Sequence, residues 1–213
     1  LSAMSMGLAA RLSLIRADRL VAAPWKNGGG VTREIAAEPP GASLDAFAWR
    51  VSVADVAQPG PFSRFPGVDR TLVLLSGAGM TLVDGNGARQ VLAAPLERLA
   101  FAGETPLSAE LADGPTRDFN LMTRRAVMSG RVSVLGEGGA IASDAPTLLL
   151  FCACGAPSVA LDGAGAVTLG ALDTLRVDAH AGAGVGGRIT GTVRGEGALL
   201  CIELTPRAAA AAA

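Results

Sequence analysis

Short runs of alternating or wholly apolar residues follow one another along the chain, and Gly, Pro, Asn or Asp closes each run after roughly eight to twelve residues. Residues 32–36, 49–54, 71–75, 147–151 and 199–204 are the clearest cases. Side chains two apart share one face of an extended chain, so these runs predict β-strands with one face turned inward. The punctuation predicts turns at the strand ends, and together they predict an all-β sandwich or barrel. Helical periodicity is confined to brief stretches around 17–21 and 45–48.

The strand pattern repeats. Shifted by 76 residues, 71–101 falls on 147–177 without a gap. Thr71, Leu72 and Leu74 meet Thr147, Leu148 and Leu150, and Gly79 meets Gly155. The turn pair Asn86-Gly87 meets Asp162-Gly163, both strong hairpin signals. A period this long exceeds that of a solenoid unit and predicts two copies of one β-module. The expected fold is an all-β bicupin: two fused RmlC-like jelly-roll (double-stranded β-helix) lobes with very little helix. The expected organisation is a single compact unit over 1–207, with a first lobe at about 12–125 and a second at about 126–207. The alanine run 208–213 is a low-complexity tail.

Composition narrows the function. Half of the 213 residues are hydrophobic, so the chain folds. A formal charge of −1 argues against a nucleic-acid binder, which would carry a basic excess. No apolar run reaches the roughly 18 residues that span a bilayer, and no membrane association is expected. The N-terminal stretch lacks the pattern of a signal peptide, with Met4 or Met6 as the expected native start. Three cysteines, an odd number, fit reduced thiols and a cytoplasmic location.

Residues 24–35 read PWKNGGGVTREI. Gly28, Gly29 and Gly30 let the backbone approach a neighbour or ligand closely, and successive amides in such a turn can converge on an anion. A structural reversal needs the glycines alone. Trp25, Lys26 and Asn27 before them, with Arg33 and Glu34 after, add polar chemistry that a plain turn does not require. Strand parity places Arg50 and Ser52 on one face, and Asp118, Asn120 and Met122 on one face of another strand. Arg70 opens the apolar run 71–75, directly after Asp69. A barrel interior carrying Arg50, Arg70 and Asn120 suits a small carboxylate, to which Arg offers paired donors. An internal network of Arg70, Asp118 and Glu34 without a ligand is the plainer alternative.

Other chemistries find little support. The single histidine, His180, removes a histidine-based metal centre and most triad schemes, so neither a metal nor a cofactor is expected. Cys152, Cys154 and Cys201 could in principle hold a metal, with Cys152 and Cys154 on one strand face, but buried free thiols are far commoner. Gly182, Gly184 and Gly187 match G-x-G-x-x-G without the strand-turn-helix setting that gives it meaning.

The strings PWKNGGGVTREI, WRVSVA, GPFSRFPGVDRTL and DGPTRDFNLMTRR, in this order, resemble the HutD/Ves family of bicupin proteins. The resemblance runs from about Leu12 to Arg125 and continues more weakly to Leu204. It implies a two-lobed cupin without metal histidines, associated with bacterial histidine utilisation and thought to restrain that pathway. The family's recurrent polar positions fall on Trp25, Lys26, Asn27, Arg33, Glu34, Arg50, Ser52, Asp69, Arg70, Asp118 and Asn120. The implied function is a non-catalytic, cytoplasmic regulator that binds a small acidic metabolite such as N-formylglutamate or urocanate in the first lobe. Lys26, Arg50 and Arg70 would hold carboxylates, Asn27 and Asn120 would read a formyl or amide group, and Glu34, Asp69 and Asp118 would orient the cations. A metal-independent isomerase or hydrolase with Glu34 or Asp118 as base is one alternative. A stress-related protein acting through a partner is another. The second lobe lacks comparable polar strings, which suggests a structural or homodimer-forming half.

Overall fold

A computed structural model describes residues 10–179 and 188–208. In chain order its elements are β1 (Ala10–Ile15), a 3-10 turn (Ala17–Arg19), β2 (Ala22–Pro24), β3 (Gly30–Glu38), β4 (Trp49–Val56) and β5 (Gly60–Pro61). β6 (Val68–Ser76), β7 (Met80–Asp84), β8 (Arg89–Leu92), β9 (Arg98–Ala102), β10 (Leu107–Leu111) and β11 (Thr116–Arg124) follow. The chain continues with β12 (Met128–Leu135), β13 (Ala140–Ser143), β14 (Thr147–Gly155), β15 (Ser158–Leu161) and β16 (Ala166–Thr168). It closes with β17 (Thr174–Ala179), β18 (Ile189–Arg194) and β19 (Gly197–Pro206).

All five runs singled out in the sequence lie inside strands. Among the described residues the helical expectation shrinks to one 3-10 turn. Residues 45–48 form no helix, because so short a segment cannot offset the cost of nucleation.

Two compact units emerge, and each is a two-sheet β-lobe. The first is built from residues 20–129. Its six-stranded sheet runs β2-β3-β4-β11-β6-β9 and its four-stranded sheet runs β5-β10-β7-β8. Ala54, Val56, Leu72 and Leu74 from the larger sheet meet Met80, Leu82, Leu92, Leu107 and Ala109, forming one buried cluster. The second unit holds 130–205 together with 10–19. Its sheets run β1-β17-β14-β19-β12 and β13-β18-β15-β16 around a wholly apolar cluster that includes Leu148, Leu150, Val177, Leu199 and Val193. The expected start of the first lobe near Leu12 is therefore corrected. β1 pairs antiparallel with β17, Leu12 opposite Val177, and so extends a sheet of the other lobe.

The 76-residue repeat is visible in the backbone. β6 to β9 correspond to β14 to β17, and the strand orders of the smaller sheets match one for one. Among the described residues, two non-glycine residues take positive φ, Leu96 at 71° and Leu172 at 68°, and they stand 76 apart. A leucine in that region is costly, so its presence at both places marks one shared bend. Gly87 and Gly163 repeat the same left-handed turn at 83° and 78°.

Candidate functional site

In the first lobe, β4, β11 and β6 lie side by side, and their alternate residues face one cavity. Asn120 stands opposite Ser52 on one side and Leu72 on the other. Met122 stands between Arg50 and Arg70, and Asp118 between Ala54 and Leu74. The cavity, about 570 Å³, is closed by Trp25, Lys26, Asn27, Gly29 and Thr32 from the start of the lobe and by residues 58–63 and Phe65. That volume suits a small metabolite.

Three of its buried polar atoms have no hydrogen-bond partner: Arg70 Nε, Asp118 Oδ1 and Asn120 Oδ1. Burying such atoms unpaired costs about 1–3 kcal/mol each, so their convergence in one cavity needs an explanation. Arg70 is only 4% exposed. Its guanidinium sits 5.2, 5.5 and 5.0 Å from the ring centres of Phe62, Phe65 and Phe101, and one amino group donates to the Ser63 carbonyl at 3.2 Å. The aromatic faces support the cation while leaving Nε unspent. Burial lowers the Arg70 pKa to about 10, with Asp118 opposing that shift. Burial also raises the Asp118 carboxyl to about 7, although Arg70 pulls it down.

Arg50 is anchored. Its Nε donates to Glu34 Oε2 at 2.7 Å and an amino group donates to Ser52 Oγ at 3.3 Å. Glu34 thus positions a cavity cation from the neighbouring strand. At the mouth, Lys26 is exposed and has no ion-pair partner among the described residues. Trp25 donates through Nε1 to Thr32 Oγ1 at 2.8 Å and lays its ring over Gly30. A Cβ on Gly30 would come within 2.5 Å of the Asp55 carbonyl, which is why that position has no side chain.

Several expected site residues fall elsewhere. Arg33 points to the opposite face and donates to Asp55 at 2.6 Å, sharing that carboxylate with Arg117. Asp69 also leaves the cavity and accepts from Arg125 at 2.7 Å. Both follow from parity, because each is adjacent in sequence to a residue that points inward. Gly28 and Gly30 do not line the cavity. The glycine loop is not an anion cradle: the Gly28 amide donates to the Trp25 carbonyl and the Gly29 amide to Asn27 Oδ1. Asn27 is thereby committed to shaping the loop. The phenylalanine cage around Arg70 was missed in the sequence, although Phe62 and Phe65 flank Ser63-Arg64 in a string already singled out.

Cys152 and Cys201 are buried, Cys154 is exposed, and a bulge separates Cys152 from Cys154 in β14. Among the described residues no group of three or more His, Cys, Asp or Glu side chains could hold a metal ion. His180, Gly182, Gly184 and Gly187 lie outside the described residues. No helix among the described residues is long and apolar enough to cross a membrane.

The HutD family profile matches residues 17–201. A Pseudomonas putida protein described as an uncharacterized 21.2 kDa protein in the hutC 3' region is 39% identical over 171 residues, spanning 80% of this chain and 88% of its own length. Protein Ves of Cronobacter sakazakii is 47% identical over 111 residues, 52% of this chain and 59% of its own. Among solved structures, HutD from Pseudomonas fluorescens SBW25, formate condition, is similar with a TM-score of 0.80 and 35% identity, covering 93% of this chain and 100% of that one. A cupin 2 conserved barrel domain protein from Leptotrichia buccalis, 11% identical with a TM-score of 0.55, covers 92% of this chain and 96% of its own and shares the fold alone.

Proposed function

The chain belongs to the HutD family, a two-lobed cupin, and from that premise we propose that its first lobe binds a small carboxylic acid. In this reading the protein is a non-catalytic cytoplasmic regulator of histidine utilisation. The hutC neighbourhood of the P. putida relative supports the pathway. The observation that carries the binding reading is the convergence of Arg70 Nε, Asp118 Oδ1 and Asn120 Oδ1, all buried and unpartnered, in one cavity.

The mixture of one donor and two acceptors supports a ligand that carries both a carboxylate and an N–H group. A carboxylate answers Arg70, with Lys26 at the mouth adding long-range attraction. An N–H group answers Asn120 Oδ1 and an ionised Asp118. An N-acyl amino acid of the N-formylglutamate kind carries both features on one small frame; urocanate offers a carboxylate and a ring N–H. Calorimetric titration against N-formyl-L-glutamate, urocanate, histidine and glutamate tests the reading. Saturable binding of one acid at one site per chain supports it, and heats of dilution alone across the panel contradict it.

One observation favours a second reading, a metal-independent enzyme. A carboxyl held near pKa 7 beside a buried guanidinium can both give and take a proton at neutral pH. Product formation from a bound acid, lost in Asp118→Asn while binding persists, distinguishes this reading from a pure sensor.

A further inference from the structure

The tetrapeptide Arg50-Val51-Ser52-Val53 recurs as Arg131-Val132-Ser133-Val134. The two copies sit on β4 and β12, which hold the same place in their sheets, beside β11 in the first lobe and beside β19 in the second. Against β6 and β14 the lobes align in one register; against β4 and β12 they differ by two residues, because the Arg207 amide donates to the Val127 carbonyl, which sets Arg131 opposite Glu203 where Arg50 stands opposite Met122. Leu72 pairs with Asn120, and Leu148, 76 residues later, pairs with Glu203. Leu74 pairs with Asp118, and Leu150 with Cys201. Counted from β14, Glu203 stands where Asn120 stands in the first lobe, and counted from Arg131 it stands where Met122 does, so it fills the stretch beside the Arg50 counterpart.

At that position the lobes differ in charge. Asn120 is neutral and its Oδ1 has no partner. The Glu203 carboxylate has both oxygens engaged. Arg131 Nε donates to Oε2 at 2.7 Å, a second guanidinium nitrogen reaches the same oxygen, and Ser143 Oγ donates to Oε1 at 2.7 Å. The Glu203 side chain is 14% exposed, whereas Arg131 reaches in from the rim at 73%. The interior behind them is filled by apolar residues and by Cys201 in place of the ionisable Asp118.

We infer that the second lobe is a closed, self-occupied copy of the first-lobe site, in which the Glu203 carboxylate stands where the first lobe takes the carboxylate of its ligand. The claim about the second lobe is independent of any ligand. Only its extension to the first lobe rests on the small-acid reading. It assigns a second carboxylate seat in the first lobe, besides the one at Arg70, to the strip beside Arg50, between Asn120 and Met122.

Chemical rescue tests it. Thermal unfolding of full-length Glu203→Ala is followed in sodium acetate and in sodium chloride at matched pH and ionic strength. The variant should unfold below wild type and regain part of the loss in acetate, saturably, but not in chloride. The gain specific to acetate should be larger in Glu203→Ala than in wild type, whose first lobe can itself take acetate, and than in the double variant Glu203→Ala/Arg131→Met. A gain no larger in Glu203→Ala than in the other two proteins would overturn the inference and leave an ordinary rim ion pair. Should Glu203→Ala not fold, Asn120→Glu replaces it. That variant should unfold at a higher temperature than Asn120→Gln, and adding Arg50→Met should abolish the difference; equal melting of Asn120→Glu and Asn120→Gln refutes the proposal. A wild-type protein that binds no small acid counts against the proposed function and leaves the acetate result standing.

Discussion

Arg70 and Asp118 are buried on the same face of one sheet, on neighbouring strands, and they form no ion pair. The guanidinium leans on three phenylalanine rings, and the carboxyl oxygen Oδ1 is left without a partner. Each feels the other's charge, yet neither has spent its hydrogen-bonding capacity on the other. Both groups keep hydrogen-bonding capacity free in the cavity.

Burial raises the folded-state pKa of Asp118 to about 7, well above its unfolded value. The folded state then holds a proton that the unfolded state releases, so this group's contribution falls as pH rises from about 4 to about 7. The whole effect is at most about 4 kcal/mol, since one pKa unit is about 1.4 kcal/mol. Asp118→Asn removes it. Melting curves should show the variant gaining on wild type between pH 5 and pH 8; a constant difference would contradict the buried, proton-holding carboxyl.

Asp55 supplies a structural control. Burial would raise its pKa, but hydrogen bonds from Arg117 and Arg33 overcome that and hold it below the usual carboxylate range. Its contribution is present above the unfolded pKa and is lost as pH falls through the folded one. Asp55→Asn should cost about 1–2 kcal/mol at neutral pH and less in acid, by denaturant unfolding. Acid binding should change by no more than a few-fold, because Arg33 and Arg117 lie off the cavity.

The glycine loop separates two reasons for glycine. A Cβ at Gly30 would meet the Asp55 carbonyl at 2.5 Å and the Trp25 ring at 3.1 Å. Gly28 has φ of 71° and open space around it. Gly30→Ala should destabilise by roughly 1–3 kcal/mol and displace Trp25, visible as a change in indole fluorescence. Gly28→Asn should be nearly neutral, since Asn tolerates the left-handed region. Equal costs at the two positions would contradict this division.

Parity explains what was legible in the sequence. A period of two is unforgiving, so Arg50, Ser52, Arg70, Asp118 and Asn120 could be turned inward together from the strand pattern. Arg33 and Asp69 were grouped with the motifs they sit in, yet a neighbour in sequence is the opposite face in a strand. β1 was misassigned because an edge strand's partner, here residues 174–179, is a long-range choice that no local pattern encodes. The repeat was found at 76 residues, but the Arg-Val-Ser-Val copies are 81 apart (131 − 50), so an ungapped comparison passes over them. The polar character of the second lobe was hidden in that offset.

In the proposed function a small acid binds where Arg70 Nε is left unspent. Arg70→Met removes the guanidinium and leaves a shorter, unbranched apolar side chain beside Phe62, Phe65 and Phe101. Isothermal titration of wild type and Arg70→Met with N-formyl-L-glutamate is the most direct measurement. The account predicts saturable binding to wild type and at least a tenfold loss in the folded variant. Equal affinity in both proteins, or binding to neither, would contradict it.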